Sequence, residues 1–160
     1  MPRRRHSPTF EERVRNIARD RAQRLITVIR DRAFAELARR GGELAPLALT
    51  MDAGGRIGSV AVYTGDQFPH PENQLADLRA TLKGQVALHT LESTAIAFYE
   101  RITLASDVQP LDSVAVEYET RNGKPLSVAF PYRIKVKLQG NSEITPLAAV
   151  TRPGRRTLFL

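Results

Sequence analysis

DSVAVEYETRNGKPLSVAFPYRI, residues 112–134, decides the fold. Val114, Val116 and Tyr118 alternate with polar or small residues, the period-two pattern of a strand with one buried face. Asn122-Gly123 supplies turn chemistry, and a second alternating run returns. Loop length then sets the register. A two-residue loop would pair Tyr118 with Ser127 and Glu117 with Val128, mixing apolar and polar faces. A three-residue loop, with Gly123 in left-handed backbone, pairs Tyr118 with Val128, Val116 with Phe130 and Val114 with Tyr132. Only the second gathers the apolar residues on one face, so it is the expected register.

Outward from this hairpin the pattern continues on both sides. Upstream, Ile96, Phe98, Ile102 and Leu104 share one face of a strand within Thr94–Leu104, and Glu100 falls in the middle of that face. Downstream, strand five is expected to run to about Leu138, and TRPGRR (residues 151–156) reads as a last tight turn with short strands either side. Leu47, Leu49 and Met51 alternate before Asp52-Ala53-Gly54-Gly55, and Ile57–Tyr63 returns as an earlier hairpin.

Two helices complete the pattern. Leu75, Leu78, Leu82 and Val86 form one stripe between Glu72 and Glu92, with Gly84 a point of weakness. Residues 9–40 form the longer one. Thr9 and Glu12 make a capping-box pattern, Val14, Ala18, Ala22, Leu25, Ile29 and Ala33 line one face, and Gly41-Gly42 stop it. Thirty-two residues would span roughly 48 Å, against a domain diameter of about 40 Å. The helix must therefore bend or overhang, and the change of apolar phase to Phe34, Leu37 and Ala38 favours a bend. The expected fold is α+β, in the order α-β-β-α-β-β-β-β: a mostly antiparallel curved sheet of five to seven strands with both helices on one face. Residues 1–8 are expected to be a basic disordered arm, and 9–160 a single domain.

LAPLALTMDAGGRIGSV (residues 44–60) together with residues 112–134 resembles a group of uncharacterised small bacterial α+β proteins. The shared features are a hydrophobic-Pro strand, an Asp-x-Gly hairpin and a late Pro-Tyr. The resemblance covers residues 44–134 and implies no activity. The early element order is similar to roadblock and profilin-like scaffolds, which implies dimerisation or partner binding.

Composition narrows the functional classes. The chain has no cysteine, which excludes disulfide scaffolds, thiolate metal sites and cysteine nucleophiles. No apolar run approaches the ~20 residues of a membrane span, and MPRRRHSPTF lacks the apolar core of a secretory signal, so a cytoplasmic protein is expected. His6, His70 and His89 form no ligand motif, and no nucleophile-elbow or phosphate-loop motif occurs. Neither a metal nor a cofactor is expected.

The formal charge is +7, and all of it lies at one end: residues 1–41 hold 12 Arg against 5 acidic residues. Arg3, Arg4 and Arg5 on the arm, with Arg13, Arg19 and Arg30 on the helix, are the candidates for gripping nucleic-acid phosphates. An anionic membrane surface is a third use of the same charge. Against both, Glu11–Arg15, Asp20–Arg24 and Glu36–Arg40 stand at the i,i+4 spacing of ordinary helix dressing, and the remaining arginines scatter around the helical wheel. Arg21, Arg32 and Arg39 flank the apolar stripe, where their stems can cover apolar surface. The leading expectation is a non-enzymatic interaction protein acting as a homodimer, followed by nucleic-acid binding. A small-molecule binder or enzyme built on Glu100 and His89 comes third, because that pair would be the chain's one acid–base constellation.

Overall fold

The computed structural model describes residues 7–61, 70–88, 91–105 and 109–159. Its elements are α1 (Phe10–Arg39), β1 (Leu47–Asp52), β2 (Ile57–Val60), α2 (Pro71–Leu88), β3 (Leu91–Ile102), β4 (Leu111–Thr120), β5 (Leu126–Lys135), β6 (Glu143–Pro146) and β7 (Val150–Pro153). The strands form one seven-stranded antiparallel sheet in the order β2-β1-β3-β4-β5-β6. β7 also pairs with β5: β6 lies against Tyr132–Lys135, and β7 against Leu126–Ala129. The fold is α+β.

The expected capping box is present, with Thr9 Oγ1 accepting from the Glu12 amide (3.2 Å) and the Glu12 carboxylate accepting from the Thr9 amide (2.9 Å). Gly41 and Gly42 end α1 at φ of 66° and 97°, backbone that a side chain resists. α1 is one continuous run of 30 residues. Leu25, Ile29, Ala33 and Leu37 hold a single buried stripe through the change of apolar phase, and the exposed N-terminal turns form an overhang. Gly84 does not interrupt α2.

Two expectations need correction. The helices lie on opposite faces of the sheet. α1 packs on Leu49, Met51, Ala95, Ala97, Val114, Val116, Tyr118 and Tyr132. α2 packs on Ala48 and Ile96, with Phe98 partly buried beside them. Residues of both parities are therefore buried in the central strands: Ser93–Ala97 of β3 and Ser113–Val116 of β4 are buried without a gap. Ala at every second position satisfies the second face without looking apolar in the pattern.

The hairpin register is the other correction. Tyr118 pairs with Leu126, Val116 with Val128 and Val114 with Phe130, two residues from the expected alignment. Faces survive a shift of two, but the loop is longer. Pro125 has no amide for a ladder there. The end of β4 is held from the other side instead, where the Arg121 amide and the Thr120 hydroxyl both donate to the Glu92 carbonyl. Gly123 is not at positive φ. A Cβ on it would lie 2.5 Å from Thr120 Cγ2, so close approach is what favours glycine.

Candidate functional site

α1 changes character along its length. Burial begins at Leu25, and every residue from Phe10 to Asp20 except the capping Glu12 is exposed. The projecting half still carries large apolar side chains: Phe10 is 79% exposed, Val14 51% and Ile17 54%. Their spacing of four and then three residues puts them on one stripe. Where the helix leaves the sheet it is latched to the β1–β2 hairpin. Arg24 Nη1 donates to the Gly55 carbonyl (3.2 Å), and Arg32 Nη1 to Ser59 Oγ (2.8 Å). Just beneath this exit lies an open groove of about 570 Å³, whose lining includes Ala22, Tyr118, Pro125, Leu126 and Pro153.

These contacts account for several arginines differently from the sequence reading. Among the described residues the Glu11–Arg15, Asp20–Arg24 and Glu36–Arg40 ion pairs are not formed; Glu36 pairs with Arg39 at 2.7 Å. Arg30 pairs with Asp31 at 2.9 Å and lies over the Phe130 ring at 5.7 Å. Arg19 Nη2 donates to the Asn16 side-chain Oδ1 at 3.2 Å. Arg13 and Arg19 both stand exposed on the projecting half. Arg3, Arg4 and Arg5 lie outside the described residues.

Glu100 does find a partner, and it is a cation. Arg152 donates to it through Nη2 (2.8 Å) and Nη1 (3.3 Å), and reaches Ser127 Oγ at 3.4 Å. The Glu100 hydrogen bond raises the Arg152 pKa above its ordinary value, against the opposing effect of burial. His89, the expected partner, lies outside the described residues. Beside this pair Arg79 of α2 binds Glu117 at 2.6 Å and lies 5.8 Å over the Phe98 ring. The α2 face thus carries two ion pairs, with the buried Ser113 between Glu100 and Pro131 in the ladder. Arg152 was invisible beforehand because β7 reaches Glu100 only through its pairing with β5.

A cavity of about 950 Å³ opens where β1 stops at the Leu47–Ala97 pair while β3 continues to Ile102. Arg40, Glu43, His70, Glu72, Phe98 and Tyr99 are among its lining residues. Partial burial and the Tyr99 hydroxyl's hydrogen bond to Asp112 (2.6 Å) raise the tyrosine pKa. No cluster of His, Asp and Glu able to hold a metal occurs among the described residues. No described helix is long and apolar enough to cross a membrane.

Known families offer no analogy. No protein-family model, curated protein or solved structure matches this chain.

Proposed function

We propose that this chain is a non-catalytic interaction module that pairs with a second copy of itself through the projecting half of α1. The carrying observation is the Phe10–Val14–Ile17 stripe, large apolar side chains left exposed on one side of the helix where no strand covers it. An antiparallel two-fold pairing fits it best. Val14 then packs against Ile17 of the partner subunit, and Phe10 reaches the level of the partner's Arg21, next to Ala22 of the partner subunit, where the 570 Å³ groove stands open. The same alignment sets Arg13 beside Asp20 of the partner subunit, twice over by symmetry. A parallel pairing would leave Arg13 facing Ala18 of the partner subunit, with no charge to meet.

Sedimentation equilibrium tests this. The wild-type chain should form a dimer, and the Val14→Glu, Ile17→Glu double variant should weaken it by roughly a hundredfold or more, since each buried aliphatic side chain is worth ~1.5–3 kcal/mol. A wild-type chain that sediments as a monomer at every concentration refutes the reading.

One observation favours a second reading, nucleic-acid binding: the whole +7 excess sits in residues 1–41, and Arg13 and Arg19 project from the same helix half. Retention on random-sequence DNA should then fall with salt, with a slope of roughly 0.9 per phosphate contact. Replacing Arg13 and Arg19 by Gln should reduce that slope.

A further inference from the structure

Among the described residues after β7, none joins a ladder. Gly154–Phe159 crosses the α2 face instead, and burying Leu158 and Phe159 completes the cluster of Leu78, Leu82, Val86, Ala48 and Ile96. No ladder holds this segment; side chains hold its backbone. Glu119, only 5% exposed, accepts from the Thr157 amide (2.6 Å), the Thr157 hydroxyl (3.0 Å) and the Leu158 amide (3.1 Å). Arg156 donates to the carbonyls of Thr120 and Phe159 (3.1 Å each) and to that of Gly123. Arg121 lies 5.2 Å over the Phe159 ring.

This is how a protein grips a peptide. A buried carboxylate meets two backbone amides, and two adjacent apolar side chains fill a groove between a helix and a sheet. Glu119 makes no ion pair among the described residues, so its charge is compensated by the docked segment. Only Gly154 and Arg155 separate the last ladder pair, Pro153–Leu126, from the gripping contacts that begin at Arg156.

We infer that this groove is a peptide-recognition site, occupied in cis by residues 156–159 and able to take the same segment from a second copy of the chain. Contacts in the exchanged and closed forms are the same, so only the connection and the concentration separate them. A tether this short presents its segment at an effective concentration on the order of millimolar. The closed form therefore wins in dilute solution, and exchange sets in as the chain is concentrated or the two-residue connection is strained. Nothing in this depends on the projecting half of α1.

Two arms test it in the full chain. In the first, Leu158→Asp with Phe159→Asp vacates the groove, and binding of the fluorescein-labelled peptide RPGRRTLF (residues 152–159) is followed by anisotropy. The vacated variant should bind at least tenfold more tightly than wild type, whose own segment competes, and adding Glu119→Gln should abolish the gain. A variant that stays folded by circular dichroism and ignores the peptide at about 1 mM overturns the proposal.

The second arm needs no vacated groove, in case that variant unfolds. The Val14→Glu, Ile17→Glu chain, its helix surface disabled, is concentrated to millimolar as equal parts isotopically light and heavy protein. Native mass spectrometry should find mixed dimers that excess RPGRRTLF dissolves. Monomers alone at that concentration overturn exchange between copies, whatever the wild-type helix does. If wild type dimerises only over the same concentration range as this variant, and excess RPGRRTLF dissolves both dimers, the helix reading fails and the groove stands.

Discussion

The two faces of the sheet are closed in different ways. One is closed by a single element: α1 lays Leu25, Ile29, Ala33 and Leu37 along four strands, and the layer is continuous and apolar. The other is assembled from pieces. α2 covers β3, Gly154–Phe159 covers what α2 leaves, and the Arg79–Glu117 and Arg152–Glu100 pairs finish the layer beyond them. A face closed by one helix opens only when the whole domain does. A face closed by separable pieces can open piece by piece.

The largest expected effect breaks the dry face. Ile29→Ala removes a side chain with no exposure and should cost about 2–5 kcal/mol. In native-state hydrogen exchange, protection should fall together in β1, β3, β4 and β5. Phe159→Ala, on the assembled face, should cost less, and its loss of protection should stay with the Thr157 and Leu158 amides. Uniform loss in both variants would erase the distinction between the faces.

Alkali sharpens the same contrast. Tyr132 is buried on the α1 face, edge-on to Phe34 at 6.0 Å, and burial raises its pKa well above the ordinary 10.0. The folded state therefore holds this proton where the unfolded chain releases it. The stabilisation is complete below pH 10 and drains away as pH climbs from there toward the folded value, by up to about 1.4 kcal/mol per pH unit. Urea midpoints between pH 9 and 11 should show the slope, and Tyr132→Phe should flatten it.

The smallest effect runs the other way. Gly84 lies exposed on α2, and a Cβ there would meet nothing within 4 Å. Gly84→Ala should stabilise α2 by roughly 0.5–1 kcal/mol, read as a small rise in thermal midpoint.

What the sequence disclosed, and what it hid, follows the same division. Face assignment in the β4–β5 hairpin was readable because parity survives a shift of two; the register was not, because Pro125 and the Thr120 and Arg121 bonds to β3 lengthen the loop. The one-face arrangement of helices failed on alanine. Ala95, Ala97 and Ala115 are fully buried, yet small residues read as polar-side spacers. Glu100 stood out as the acid on an apolar face, but its partner Arg152 lies 52 residues away. Glu117 and Glu119, two carboxylates on one strand face with Ser113, were the readable sign that this face is built for polar contacts.

Sharing one side of β5 between β6 and β7 has a consequence for the chain's company. Both are four-residue strands, as is β2 at the opposite border. Each offers an outsider too short a row of amides and carbonyls to template stacking of sheet upon sheet. Crowded copies that meet border to border find little to add to, and runaway fibre growth has little to start from.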